Sequence, residues 1–277
     1  MSATALVASP LLLSPTGVNA SVAAASSSAA MPQVKATLTR KTIRMSGVDR
    51  LRAGRVKLSV SGKGVVEFLM FDKGYDVADF AKDLGKFESK NDIKALRRAL
   101  ANTTILGGVA GGGTGTVVFP RAGSYTPFAL GQRGPVFGKA FTLRGPVRSS
   151  RTPRTDGRII AKNGPSWGGA SHLPMKGRFL FKNKGNTGVP HFVLLQQVAE
   201  GTTADQVLEF LQSEEGPPPS WLLPGTLETG SLSPGRSMTV DYDLPGGQYV
   251  VLCFFPDPKM GGMPHALMGM IKMIHLM

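Results

Sequence analysis

The sequence predicts an all-β protein made of two tandem antiparallel Greek-key β-sandwiches, each carrying a short helical insert. The chain has 277 residues, of which 35 are glycine and 20 are proline, close to twice the average usage of these two residues. Only 18% of the residues are charged, and short segments of alternating hydrophobicity recur between turn residues. The order of these segments in the first half of the chain is repeated in the second half. Many short strands are therefore favoured over a helix bundle.

The chain begins with a segment that differs in composition from the rest. Residues 1–31 contain no charged side chain and are rich in Ala, Ser, Val and Leu. An apolar stretch over 5–13 and small residues at 27–30 fit an export signal, although the basic segment that normally precedes the apolar stretch is missing. We interpret residues 1–31 as the remnant of an export signal or as a disordered tail. The first interpretation predicts a secreted or cell-surface protein.

The first predicted domain spans residues 32–145 and combines strands with one helical stretch. Its apolar residues alternate along the strands, and their spacing changes to a helical one between Asp76 and Leu100. The predicted strands occupy residues 34–39, 54–60, 65–71, 116–119 and 139–143, and a Gly-x-Tyr turn is predicted at 123–125. Residues 146–157 are rich in Gly, Pro, Ser and Arg and are predicted to form a linker.

The second predicted domain, residues 158–277, follows the same order of strands, turns and helix. A helical stretch is predicted over 203–212. Its predicted strands occupy residues 178–182, 188–194, 238–242, 250–255 and 270–276, and a Gly-x-Tyr turn is predicted at 247–249. When the two domains are aligned by this order, Glu67 of the first corresponds to His191 of the second, and Ala129 corresponds to Cys253. The first domain is therefore expected to keep the shell of the second and to lack its chemistry.

Composition and charge exclude several classes of protein. A single cysteine excludes a disulfide framework and any metal site that needs several thiolates. No apolar run of about 18 residues exists, so no transmembrane helix is expected. The net charge of +14 is concentrated in residues 35–63 and 133–158, which suits an acidic partner or surface as well as a plain solvated face. Neither run has interleaved aromatic residues, so no nucleic-acid partner is expected.

Two segments of the second domain concentrate soft metal ligands. The first is a strand ending in Phe-Lys-Asn at 181–183, followed by a glycine-bearing turn that ends in Pro-His at His191. The second contains Cys253, then His265 after eleven intervening residues, then Met270. A thiolate with imidazole and thioether ligands suits copper, because soft sulfur ligands and imidazole both favour it.

These motifs resemble those of the cupredoxins, the type 1 or blue copper proteins. The segment from His265 to Gly269-Met270 is similar to the type 1 loop of two-domain copper nitrite reductases. The resemblance covers the motifs of residues 158–277, and residues 35–145 in architecture alone. It implies one type 1 copper ion held by His191, Cys253, His265 and Met270, and one-electron transfer with a redox partner protein.

The sequence departs from the family pattern in three respects. The separation of Cys253 and His265 is longer than in the small single-domain electron carriers of the family. Phe192 follows the first histidine, where many members carry an asparagine that braces the ligand loop. Met268 competes with Met270 for the axial position, although the Gly-Met motif favours Met270.

The same residues allow other interpretations of the protein's function. A lone cysteine in an apolar strand is usually a small core residue, and a metal-free cupredoxin-like module could bind a surface, polymer or protein through its basic face. An enzyme is less expected, because a catalytic copper needs further histidines. Ala266 follows His265, and the two remaining histidines, His172 and His275, are placed in a turn and in the last strand.

Overall fold

A computed structural model describes residues 30–131, 134–213 and 217–277, and these residues form an all-β fold, as the sequence predicts. Nearly all of the segment predicted to be an export-signal remnant or tail lies outside the described residues. None of the described helices is long and apolar enough to cross a membrane.

The described part of the first half contains nine strands and two α-helices. The strands are β1 (Gln33–Leu38), β2 (Ile43–Ser46), β3 (Gly54–Ser61), β4 (Val65–Phe71), β5 (Thr103–Ala110), β6 (Thr114–Phe119), β7 (Gly123–Gly131), β8 (Gly134–Phe137) and β9 (Phe141–Leu143). The helices are α1 (Val77–Lys90) and α2 (Ile93–Ala101).

The described part of the second half contains eleven strands and one α-helix, α3 (Ala204–Ser213). Its strands are β10 (Gly157–Ala161), β11 (Trp167–Gly169), β12 (His172–Leu173), β13 (Lys176–Asn183), β14 (Leu194–Val198), β15 (Leu222–Glu228), β16 (Ser237–Asp243), β17 (Gly247–Leu252), β18 (Pro256–Asp257), β19 (Met263–Pro264) and β20 (Ile271–Leu276). Two short 3-10 turns lie at Pro258–Met260 and His265–Met268.

One eight-stranded sheet contains strands of both halves, in the order β11-β10-β13-β16-β6-β3-β1-β2. The two halves meet where β6 pairs with β16, and the order of strands outward from this central pair is equivalent on both sides. Most strand pairs are antiparallel, but β1 and β3, β10 and β13, and β12 and β20 run parallel. The halves are therefore joined by backbone hydrogen bonds as well as by the chain.

Each half also forms a five-stranded arrangement. In the first half this is β5-β4-β7-β8, with β9 also paired to β7, and in the second half it is β12-β20-β17-β14-β15. One hydrophobic core contains side chains from these sheets and from the eight-stranded sheet, such as Phe68, Phe119, Phe179 and Val251. Because this buried core extends across both halves, their stabilities are expected to be coupled.

The helical stretch of the first half is divided into two helices at Asn91. This residue ends α1 in the left-handed conformation, with φ at 50°, and the side chain of Asp92 accepts a hydrogen bond from Ala95 to begin α2. Asp76 and Asp79 form a capping box at the start of α1. The two helices pack on one face of β4, β5 and β7.

The structure differs from the sequence prediction at several places. Several strands, among them β2, β5, β11 and β15, are not predicted, and the predicted Gly-x-Tyr turns at 123–125 and 247–249 begin strands β7 and β17 instead. Glycine in β5 allows a close approach of backbones: a Cβ on Gly108 would lie 1.8 Å from the Val66 carbonyl oxygen. The strand predicted over 188–194 begins only at Leu194, and the preceding residues form a loop. Local alternation does not distinguish such a loop from a strand.

The predicted linker, residues 146–157, has neither helix nor strand up to residue 156, and its last residue, Gly157, begins β10. It packs against the first half, because the Arg148 N–H donates to the Ala53 carbonyl and the Arg55 guanidinium donates to the Thr152 hydroxyl. The division of the chain into two domains remains a prediction, because β6 and β16 pair and so join both halves in one sheet.

Replacing Leu232 by alanine is expected to lower the free energy of unfolding by about 2–5 kcal/mol. Leu232 is fully buried, and its backbone bridges both Leu106 and His191. We expect one transition in urea, with tryptophan fluorescence and far-UV circular dichroism coinciding, because the core is shared. Leu222→Ala, at an exposed position, is the control and should change the free energy by no more than about 0.5 kcal/mol. Two separate transitions would contradict the coupling.

Candidate metal centre

The candidate ligands lie at one end of the five-stranded sheet of the second half. Strands β14 and β17 pair antiparallel, with Leu194 opposite Leu252. Cys253 directly follows β17, and His191 lies three residues before β14, so the pairing brings both to the same end. His265 begins the 3-10 turn that follows β19, and its N–H donates to the Phe255 carbonyl.

Three of the four predicted ligands converge in the interior. One ligand atom from each of His191, Cys253 and His265 lies within 4.8 Å of the other two. The Cys253 Sγ is 3.7 Å from the Nδ1 of His191 and 3.6 Å from the Nδ1 of His265. The two imidazole rings have their centroids 4.4 Å apart. The exposed fraction is 0% for the cysteine and 2% for each histidine.

These distances fit a shared metal ion. With metal–sulfur and metal–nitrogen bonds of about 2.3 and 2.05 Å and angles of about 110–120°, a sulfur and a nitrogen on one ion are separated by about 3.6–3.8 Å. Both observed separations between Sγ and Nδ1 agree with this value. A soft thiolate and two neutral imidazoles are the donor set that suits copper.

The loop that presents His191 is fixed by the asparagine of the Phe-Lys-Asn motif. Asn183 is fully buried, and its Nδ2 donates to the carbonyls of Leu232 and Val189 at 2.8 and 3.2 Å. Its Oδ1 accepts from the Gly185 N–H at 2.9 Å. The backbone of Leu232 exchanges two hydrogen bonds with that of His191. The histidine is therefore held by a network that does not involve a metal.

The loop that presents His265 closes on itself. The Ala266 N–H donates to the Cys253 carbonyl at 2.7 Å, and the Met270 N–H donates to the His265 carbonyl at 3.0 Å. Gly269 adopts φ at 85°, a left-handed conformation that suits glycine. Met270 is fully buried in the same core as the cysteine, whereas Met268 is half-buried.

Two residues near the ligands are missed by sequence analysis. Asp257 places Oδ2 3.7 Å from the Nε2 of His265, so that a carboxylate faces the ring nitrogen turned away from the sulfur. Trp167 donates its indole N–H to the Met270 carbonyl at 3.0 Å, and its ring centroid is 6.4 Å from that of His191. The Pro-Asp-Pro segment around Asp257 signals a turn, whereas no local pattern places Trp167 near a site 100 residues away.

Burial sets the protonation of the metal-free site. It raises the pKa of the Cys253 thiol to about 12, although backbone hydrogen bonds from Phe192 and Phe255 oppose the rise. Burial, with a smaller contribution from His265, lowers the pKa of His191 to about 3, and burial also lowers that of His265. At neutral pH the site therefore holds a thiol and two neutral imidazoles, and a bound metal ion would displace the thiol proton.

The strand register corrects the position assigned to Glu67. In the first half, Glu67 pairs with Phe128, which lies three residues after Tyr125. The corresponding residue of the second half is Leu252, three residues after Tyr249, and Leu252 pairs with Leu194. The place equivalent to Glu67 is thus taken by Leu194 and not by His191. The alignment on glycine and alternating apolar residues shifts the register because the loop before β14 resembles the start of β4.

The two remaining histidines lie apart from the ligands. The imidazoles of His172 and His275 stack with centroids 5.8 Å apart, in the paired strands β12 and β20. The His275 Nε2 lies 3.3 Å from the Glu200 carboxylate, near the surface. They add no ligand to the cluster of His191, Cys253 and His265 within the described residues.

Known proteins resemble the chain only distantly. No protein-family model and no curated protein matches it. Among solved structures it is similar to auracyanin B, with 25% identity over 43% of this chain and 86% of that chain, at a TM-score of 0.29. It is also similar to auracyanin from the photosynthetic bacterium Roseiflexus castenholzii, with 22% identity over 43% of this chain and 94% of that chain, at a TM-score of 0.28. A multicopper oxidase is 12% identical over 88% of this chain and 88% of that chain, at a TM-score of 0.27. At these TM-scores the similarities do not assign the chain to a family.

Lowering the pH from about 6.5 towards 3 is expected to lower the free energy of unfolding of the metal-free protein. The pKa of His191 is lowered from 6.5 to about 3 in the folded state, so in this window the unfolded chain binds protons that the folded chain does not. Urea unfolding at a series of pH values measures this slope. His191→Gln should reduce the slope, whereas His172→Gln, at an exposed position, should not. An equal slope in all three proteins would contradict the buried neutral imidazole.

Proposed function

We propose that this protein is an exported type 1 copper protein that transfers one electron at a time, with His191, Cys253, His265 and Met270 as ligands. The observation that carries the proposal is the convergence of one thiol and two imidazole nitrogens within 4.8 Å of one another in the interior. Isolated buried polar groups are unfavourable unless they are paired or bind a metal. A shared copper ion would give all three ligand atoms a partner.

The surroundings of the ligands suit electron transfer. Copper supplies a centre that changes its charge by one electron. Thiolate donation favours the oxidised ion, whereas imidazole and thioether favour the reduced one. The hydrogen bonds of Asn183 and the closed loop around Ala266 hold the ligand residues without the metal, so both oxidation states would have nearly the same geometry. Small rearrangement favours rapid transfer.

Met270 is the better candidate for the weak axial ligand. It is fully buried in the core that contains Cys253, and its N–H is bonded to the His265 carbonyl. Met268 is half-buried and lies in the preceding 3-10 turn. The bond from Trp167 to the Met270 carbonyl further restricts that segment.

The first half is proposed to be a copy of the same module without a copper site. The equivalent strand order on both sides of the central pair supports the duplication. No candidate metal cluster is found in its described residues, 30–131 and 134–145. Its role is then to complete the shared sheet and core, and its basic runs offer a surface for an acidic redox partner.

The alternative is a metal-free module that binds a polymer, protein or surface through its basic face. The net charge of +14 is compatible with it. This alternative gives no reason for three buried ligand atoms to meet, because a packing cysteine needs no imidazole on either side. The two proposals differ in whether purified protein takes up copper.

Cys253→Ser is expected to abolish copper binding while leaving the fold intact. Serine keeps the shape but offers a hard oxygen of high pKa, which suits a soft copper site poorly. The wild type should take up about one equivalent of Cu(II) and turn blue, as type 1 sites do. Elemental analysis and visible absorption measure both. Met268→Leu is the control and should behave like the wild type. A colourless wild type without copper, or a serine variant that unfolds, would favour the metal-free alternative.

Met270→Leu is expected to keep one equivalent of copper and to raise the reduction potential. Leucine is nearly isosteric, and losing a weak axial thioether removes donation that favours the oxidised ion. A redox titration followed by visible absorption measures the shift. Met268→Leu should leave the potential unchanged. If the potential moves only in the Met268 variant, the axial assignment is reversed.

A further inference from the structure

A cavity of about 440 Å³ lies between the helices of the first half and the ligand loops of the second. Its walls come from α1, α2, β4, β5 and β7 on one side and from residues next to the candidate ligands on the other. The volume falls in the range of about 300–1,000 Å³ that small-molecule sites occupy. The cavity is separate from the candidate metal centre, because none of the four proposed ligands lines it.

The apolar part of the wall is dominated by aromatic rings. Six phenylalanines line the cavity: Phe80, Phe87, Phe128, Phe192, Phe254 and Phe255. Phe192 directly follows the ligand His191, and Phe254 directly follows Cys253. Phe80 packs edge-on against Phe128, with ring centroids 5.5 Å apart. The rings provide both an apolar surface and the faces to which cations are attracted.

The ionisable residues of the wall all carry the same sign. They are Glu67, Glu88 and Glu228, and no Lys or Arg of the described chain lines the cavity. A wall with acidic residues alone is not expected from the composition of the chain, which has 32 basic and 18 acidic residues. Glu88 and Glu228 are exposed and mark the opening of the cavity, whereas only 8% of Glu67 is exposed.

Glu67 is a buried carboxyl group without a basic partner among the residues that line the cavity. Its Oε2 accepts from the Ser231 N–H at 2.6 Å. The Ser231 side chain also hydrogen-bonds this carboxyl group, but no basic side chain of residues 30–131, 134–213 and 217–277 pairs with it. Burial, together with the nearby Glu228 carboxylate, raises the pKa of Glu67 to about 7, although the two hydrogen bonds from Ser231 oppose the rise. A cationic partner would relieve this cost, because buried charges are stable when paired.

We propose that this cavity binds a hydrophobic molecule that carries a single ammonium group. The apolar body would lie among the phenylalanine rings, and the ammonium would lie between Glu67 and Glu228. A neutral apolar molecule would leave the Glu67 carboxyl uncompensated, and an anion would be repelled by three acidic residues. Contact with the aromatic faces adds cation–π attraction.

The test is isothermal titration of the full-length protein with three probes of one shape. These are 4-phenylbutylamine, 4-phenylbutan-1-ol and 4-phenylbutanoate, which are cationic, neutral and anionic at pH 7. The amine is expected to bind at least about tenfold more tightly than the alcohol, because a charge-assisted hydrogen bond replaces a neutral one, and the carboxylate should not bind. Metal-free and copper-treated protein should give the same order, so the result does not depend on the copper proposal.

Variants of the acidic residues locate the site. Glu67→Gln and Glu228→Gln should each weaken the amine at least about fivefold and leave the alcohol unchanged, since only the cation loses its partner. Glu209→Gln is the matched control, because Glu209 is exposed on α3 and outside the cavity. Glu228 is exposed, so its variant still tests the proposal if Glu67→Gln does not fold. Equal affinities for amine and alcohol, no binding of any probe, or full binding by the Glu228 variant would overturn it.

Discussion

The antiparallel pairing of β14 with β17 is the interaction on which the candidate centre depends. It places Leu194 opposite Leu252 and so brings the residues flanking these strands, His191 and Cys253, to one end of the sheet. The remaining ligand segment is then fixed by backbone bonds to this end, from Ala266 to Cys253 and from His265 to Phe255. Sheet pairing, which the chain forms in any case to bury its apolar strands, thus determines the separation of the candidate ligand atoms.

The fold class and the convergence of three candidate ligands, His191, Cys253 and His265, can be predicted because their signals are local. Alternation, turn residues and the Pro-His and Gly-Met motifs each occupy a few consecutive positions. The central pair of β6 and β16 cannot be predicted in this way, because nothing in either strand specifies a partner 123 residues away. The contacts of Trp167 and Asp257 depend on tertiary packing for the same reason. Glu67 is misplaced by three residues because Gly188-Val-Pro-His191, in the loop before β14, resembles Gly64-Val-Val-Glu67 at the start of β4.

Both halves of the chain contribute to the candidate metal centre, in different ways. The second half contributes the candidate ligand atoms, and their burial raises the pKa of the thiol and lowers that of the imidazoles. The first half contributes structure around them: the Arg97 guanidinium donates to the Pro258 carbonyl at 2.9 Å, next to the turn that carries Asp257. Gly262 approaches Phe87 and Ile93 so closely that a Cβ there would lie within 3.1–3.2 Å of their side chains. A half without ligands can therefore still influence the ligand loop.

The strands at the two outer edges of the eight-stranded sheet are unusually short. β2 has four residues and β11 has three, so few backbone groups are left to pair with another molecule. Dividing the chain between the halves would instead expose β6 and β16, with six and seven residues, as open edges. Separate halves would then be prone to aggregate through strand addition at β6 and β16, and the intact chain avoids this by pairing these two strands with each other.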